Sequence, residues 1–448
     1  MFDGETGSIK ALAGKGSIAI IDQAFISGSN FLVSILLARW ASPEEYGAFA
    51  LAFAVFLLLS QLQQSVLLEP MSVFGGAYSG SRLKRYYGSL LHMQNGLLVA
   101  ITVPLALSAL ITQQFASGQQ LGAALWGVTL ASPFVMSLWM ARRAFYLEHA
   151  PGPAAGGAVV YTVVTIGGLI VVRRLGEVTS FMAFVVMGIA ALITTAAMFW
   201  RLRPQFHREP VDASFRVECG QHLRYGGWAL AGALAMWVPQ NIYYAVLSGT
   251  QGIAAAGDIR ALLNLSLPLQ RVALALGLLL LPYTARIHSE HGQEAAKAFT
   301  RKICYLFATG SVLYWIFVLG LRHQLFQLLY AGKYTSLISL LPWMALSSVL
   351  STVIFALVIA LRAMRSPASV FYASAASGVI AIAIGIPATW LWGVAGVIFS
   401  FIIANVVTLI ATWLLMRRGI ESTEIASPEE LEPAAAFSLN AIPDAKAS

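Results

Sequence analysis

Apolar stretches of about 20 residues recur along the whole chain, and a helix of that length crosses the roughly 30 Å hydrocarbon core of a bilayer. Bounded by turn residues or charges, they predict twelve spans, at about 17–39, 46–69, 87–111, 121–141, 155–173, 179–200, 225–248, 257–283, 303–321, 336–361, 369–388 and 392–415. Composition agrees: 58% of the 448 residues are hydrophobic and 11% charged, against about 25% charged in an average soluble domain. One or two soluble cores could not bury so much apolar surface. The fold class is therefore an all-α polytopic membrane protein, and a soluble enzyme is excluded. Even the longest connector, 201–224, is too short for a catalytic domain. Lys10 and Lys15 precede the first apolar stretch as in a signal peptide, but Asp22, Gln23 and Asn30 make that stretch too polar for a short h-region, so an uncleaved first helix is expected.

The net charge of +8 is explained by where the basic residues fall. Most of the 28 Lys and Arg lie on alternate connectors: Arg82, Lys84 and Arg85; Arg142 and Arg143; the stretch Arg201 to Arg224; Arg286, Lys297, Arg301 and Lys302; Arg362 and Arg365; and from Arg417 onward. The positive-inside rule then places both termini in the cytoplasm, with Arg173 and Arg174 as interfacial departures on the outer side. No nucleic-acid partner is needed to account for the charge. Cys219 and Cys304 both fall in or beside cytoplasmic segments, where a disulfide is not expected. No zinc, haem or iron–sulfur spacing occurs, so no cofactor is implied. The Ala-, Pro-, Ser- and Glu-rich stretch 419–448 is expected to be a disordered cytoplasmic tail.

Polar punctuation repeats between the halves. Asn30, Gly47, Pro70 and the basic run from Arg82 are matched by Asn241, Gly257, Pro282 and Arg286. Six helices is an even number, so both copies start on the same side, as in a parallel repeat about an axis along the membrane normal. This predicts two pseudo-symmetric six-helix lobes, 1–212 and 213–418, facing each other as in a transporter.

Ionisable groups inside spans are costly and are default functional candidates. In span one, Asp22, Gln23, Ser27, Ser29, Asn30 and Ser34 share about half the helix circumference at roughly 100° per residue. Interhelical hydrogen bonding accounts for the uncharged members equally well. Asp22 needs a counter-charge or a proton, which makes it a candidate coupling-ion site. In span eight, Arg260, Asn264 and Arg271 form one stripe, with Arg271 fourteen residues past Gly257 and so near mid-membrane. A deep arginine must line a wet cavity or meet an acid, and its fork fits phosphate oxygens. An anionic guest is one reading; ion pairs of Arg271 with Asp22 or Arg260 with Asp258 are the other. Span two repeats the theme with Gln61, at the position equivalent to Arg271, and Gln64, ending in Glu69-Pro70. Arg39, at the outer end of span one, is a gate residue on the substrate path or an interfacial anchor. Arg142 and Arg143 follow the positive-inside rule and need no function, though they could bind inner-leaflet phosphates. No nucleophile–base arrangement appears, so a transporter is expected rather than an enzyme.

The segment FISGSNFLVSILLARWASPEEYGAFALAFAVFLLLSQ, with its polar first helix, A-R before S-P-x-E-Y-G and a second helix ending in E-P, resembles the opening of Wzx-type polysaccharide flippases. These form a branch of the multidrug/oligosaccharidyl-lipid/polysaccharide (MOP) exporter superfamily. The RRAFYLE run after span four and the Ala-Gly-x-x-Arg-Ala start of span eight are similar to that family too. Many relatives have fourteen helices, and twelve is permitted. The resemblance implies a V-shaped, alternating-access pair of lobes in the bacterial inner membrane, with a cavity lined by spans one, two, seven and eight. The implied substrate is an oligosaccharide on undecaprenyl diphosphate, with membrane lipids and a glycan polymerase or other assembly protein as possible partners. Carried to this chain, Arg260 and Arg271 would meet the diphosphate or acidic sugars, Asn264, Gln61, Gln64, Asn30 and Asn241 the hydroxyls, and Asp22 would couple transport to protons or sodium. A multidrug or metabolite antiporter on the same scaffold is the main alternative, and a polytopic glycan polymerase or ligase a weaker one.

Overall fold

The computed structural model describes residues 3–115, 118–202, 213–364, 375–376 and 378–417. The helices are α1 (Asp3–Trp40), α2 (Pro43–Gln63), α3 (Glu69–Phe74), α4 (Gly80–Gln113), α5 (Gln119–Leu147) and α6 (Pro151–Leu175). They continue with α7 (Ser180–Leu202), α8 (Ala213–Gln251), α9 (Ala254–Gly320), α10 (Arg322–Tyr330), α11 (Leu341–Ala363) and α12 (Gly385–Arg417). Among the described residues nine helices are long and apolar enough to cross a membrane. This is a polytopic α-helical membrane fold, and the exposed Val, Leu, Ile and Phe side chains around its outside are what a lipid-facing surface requires.

Two predicted connectors are sharp breaks between helices that otherwise run on. Spans eight and nine lie in the 67-residue α9, whose backbone breaks at Gly292, at φ 79°, where only glycine is unstrained. The turn predicted between spans eleven and twelve falls inside α12 at Gly393, φ 56°, beyond which Gly396 lies against the Ala388 backbone as the chain doubles back. Helix formation also runs ahead of the first predicted span, α1 starting at Asp3. The start of predicted span eleven and the tail 419–448 lie outside the described residues.

Local chemistry sets the turn that aims α2. Ser42 caps its N-terminus, accepting from the Glu45 amide at 3.2 Å, with Pro43 in the first turn. Glu45 Oε2 then accepts from the Ser180 amide at 2.7 Å and hydroxyl at 2.6 Å, so one carboxylate caps α7 from the neighbouring turn. In the first half of the chain α5 is packed against α2, α4, α6 and α7; in the second, α11 lies between α9 and α12. The halves meet chiefly through α2, which crosses α9 at one end and α8 along the rest. At the α2–α9 crossing a methyl on Gly47 would overlap the Ile253 carbonyl, and one on Gly257 would lie 3.0 Å from the Tyr46 ring. Two glycines thus bring the backbones into contact, as small residues do between membrane helices.

Candidate functional site

A cavity of about 450 Å³ lies between the halves, lined by Asp22, Gln23, Ser27 and Asn30 of α1, Ser60, Gln61 and Gln64 of α2 and its extension, and Arg271 of α9. Arg142, Arg143 and Tyr146, from the last turns of α5, close its remaining wall. Five sequence-predicted residues, Asp22, Asn30, Gln61, Gln64 and Arg271, therefore share one space. The polar stripe of α1 and the Gln61–Arg271 equivalence are what assemble them.

Arg142 is the residue that sequence reasoning passed over. It is 9% exposed and grips Asp22 with both arms, Nε to Oδ1 at 3.1 Å and an Nη to Oδ2 at 2.7 Å, while the Tyr146 hydroxyl donates to Oδ2 at 2.6 Å. Asp22 itself is 1% exposed. Its counter-ion is thus Arg142 and not Arg271, because the turn that ends α5 delivers its arginine beside the buried half of α1. The positive-inside rule hid this, since an arginine at a cytoplasmic helix end needs no partner. Arg143 reaches Gln64 Oε1 at 3.5 Å and makes no ion pair among the described residues. Arg271 makes no hydrogen bond or ion pair among the described residues.

Arg260 and Asn264 stand elsewhere. The stripe on α9 is real, but Arg260 and Arg271 are separated by about 16 Å of helix at 1.5 Å per residue, enough to serve two different places. Asn264, fully buried, donates to Ser34 Oγ at 3.0 Å and to the Tyr46 hydroxyl at 2.9 Å, and Ser34 lies 3.0 Å from that same hydroxyl. Arg260 Nε donates to Ser34 Oγ at 3.4 Å, and its guanidinium sits 4.8 Å above the Phe53 ring. Among the described residues neither Asp258 nor any other acid pairs with it. These four residues bridge the two halves beside the Gly47–Gly257 crossing, a network whose heart, Tyr46, belongs to the S-P-x-E-Y-G turn.

The same face carries further ties. Arg39 donates to the carbonyls of Gln327, at 3.4 Å, and Leu328, satisfying the open C-terminus of α10, and Lys333 donates to the Ala41 carbonyl at 2.6 Å. Burial and the nearby Arg173 push the Lys333 ammonium below its usual range. Asn241 does not reach the cavity; its amide donates to the Trp237 carbonyl of its own helix at 3.0 Å.

On the opposite face the helix of α2 loosens into a π-helical turn, Gln64–Leu68, before Pro70. Pro70 has no N–H to give the Val66 carbonyl, and His222 of α8 bonds that carbonyl through Nδ1 at 3.1 Å, its Nε2 lying 2.8 Å from the Tyr86 hydroxyl. Tyr225 donates to Glu69 at 2.9 Å beside it. A larger recess of about 790 Å³ lies between the α3–α4 turn and the end of α5, sharing Arg143 and Tyr146 with the central cavity. It belongs wholly to the first half of the chain and carries Lys84, Arg143 and Glu148, whereas the smaller cavity draws on both halves and brings Asp22 together with three arginines.

No family model and no curated relative matches the sequence. Solved structures do match the fold. An inward-facing multidrug resistance MATE family transporter of the MOP superfamily superposes with a TM-score of 0.72 at 14% identity, covering 88% of this chain and 94% of that one. The lipid II flippase MurJ in an inward closed conformation gives 0.67 at 12% identity, covering 89% and 87%. An outward-facing MATE transporter gives 0.59 at 14% identity, covering 91% and 95%. The chain therefore shares its fold with these MATE and MurJ structures.

Proposed function

We propose that this protein flips an undecaprenyl-diphosphate-linked oligosaccharide across the bacterial inner membrane by alternating access between its N- and C-terminal six-helix lobes, with both termini in the cytoplasm. One observation carries the reading: the cavity presents three guanidiniums, Arg142, Arg143 and Arg271, against a single carboxylate, Asp22, that is already paired. Arg142 is buried, Arg143 half-buried and Arg271 exposed; unneutralised cations held at membrane depth are expensive unless an anion shares the space, and a diphosphate supplies that anion. Gln61, Gln64 and Asn30 on the same wall offer amides to sugar hydroxyls. Arg260, Asn264 and Arg39 act in this scheme as the outer gate, and Asn241 as a contact in a later conformation. Asp22 is the carboxylate available for proton or sodium coupling once its pair opens.

A multidrug antiporter shares the scaffold, but a cationic drug would meet like charge in this cavity. The deciding experiment is mass analysis of lipid extracts from a strain lacking the gene. Accumulated undecaprenyl-diphosphate oligosaccharide, restored to normal by the wild-type chain, is the expected result. Unchanged lipids with intact surface glycan would end this reading and favour the antiporter.

A further inference from the structure

We infer that Arg142, with Arg143 beside it, is the phosphate-binding centre of the cavity, and that Asp22 is a tethered carboxylate occupying that centre while no substrate is bound. The inference rests on the anionic-substrate reading above and goes past it by naming the anchoring residues and an internal competitor.

The geometry supports exchange. Arg142 holds Asp22 through Nε and an Nη at 3.1 and 2.7 Å, the parallel two-bond fork that guanidinium also makes with two oxygens of a phosphate. The Tyr146 hydroxyl supplies a third donor at 2.6 Å, so three donors converge on one anionic group. All three residues line the cavity, so an incoming anion can reach the guanidinium without breaching packed core. Arg143 and Arg271 line the same space without acids, so a diphosphate would gain contacts that Asp22 cannot supply. Arg260 is the contrast: it does not line this cavity, its guanidinium lying over the Phe53 ring with Nε on the Ser34 hydroxyl. Because Asp22 sits on α1 and Arg142 on α5, displacement of the carboxylate also unties the first helix from the fifth. Substrate arrival would then be sensed as a broken helix–helix link.

The prediction is counter-intuitive for a polar cavity residue: removing Asp22 should strengthen binding. With the purified full chain in detergent, the affinity for farnesyl diphosphate is measured by calorimetry, with farnesol as the uncharged control and thermal unfolding recorded for each variant. Asp22→Asn should bind about tenfold more tightly, the scale of one charge-assisted hydrogen bond freed from competition. Tyr146→Phe removes a donor that serves Asp22 and an incoming phosphate alike, so it should bring no comparable gain. In an Arg142→Gln background Asp22→Asn should bring no gain, whereas a general loss of negative charge would help equally with or without Arg142. Asp22→Asn binding no tighter than wild type, or gaining as much in the Arg142→Gln background, would overturn the inference. Should Asp22→Asn fail to fold, Asp22→Ser decides it by the same criterion. If no variant binds the diphosphate, the inference falls, while the lipid extract still judges the flippase reading independently.

Discussion

The arginines of this chain have separate fates that depend on what each one meets. Arg271 faces the cavity with no hydrogen-bond or ion-pair partner among the described residues, and Arg260 sits against an aromatic ring and a hydroxyl between the halves. Arg271→Ala is therefore expected to raise the substrate concentration for half-maximal flipping at least tenfold, while Arg260→Ala should slow turnover with little change in that concentration; flipping assays in proteoliposomes separate the two. Equal effects on both parameters would return Arg260 to the binding site. Asn264→Ala should cost about 1–3 kcal/mol of stability, because the buried Ser34 and Tyr46 hydroxyls lose their amide partner; a thermal-shift measurement in detergent checks it. The cation stripe, the polar face of α1 and the depth of Arg271 were legible in the chain because helical period and span length are local. The Asp22–Arg142 pair was not: its members are 120 positions apart, and each has an ordinary explanation where it stands.

At the scale of elements, α2 carries the largest part of the contact between the halves, a close glycine crossing at one end and a loosened turn at the other. Gly47→Leu puts a side chain where the Ile253 backbone lies, so the closed face cannot form; loss of transport with normal membrane insertion is expected, and cysteine cross-linking across that face should fall. His222 holds the carbonyl that Pro70 leaves free. Burial lowers its pKa from 6.5, so the native state prefers the neutral ring. The stabilisation it gives is present above the unfolded value and is lost as the pH falls below about 6.5 through the lowered native value. The groups around it are the Tyr86 hydroxyl on α4 and Tyr225 and Glu218 on α8. Melting temperature recorded from pH 7.5 to 5 should therefore drop more steeply for wild type than for His222→Gln. The Pro70 signal was visible in the sequence, yet its acceptor's new donor came from a helix more than 150 residues away.

For the molecule as a whole, orientation is testable. In a chain whose Cys219 and Cys304 are replaced by serine, cysteines at Thr250 and Ser336 should react with an impermeant thiol reagent added to intact spheroplasts, and one at Ser81 should not. The reverse pattern would invert the proposed topology. Apolar blocks of bilayer length, alternate basic connectors and the polar faces of single helices determined from sequence alone that the chain is a polytopic helical membrane protein with ionisable groups in its interior. Those features depend on residues within one or two turns of each other, which is why they can be read along a line. The tertiary structure decided that Asp22 belongs to Arg142, that Arg260 and Asn264 bridge the halves while Arg271 faces the cavity, and that Gly47 and Gly257 meet. Each of these depends on which helices become neighbours and at what height they cross, and that is settled by the packing of the entire bundle.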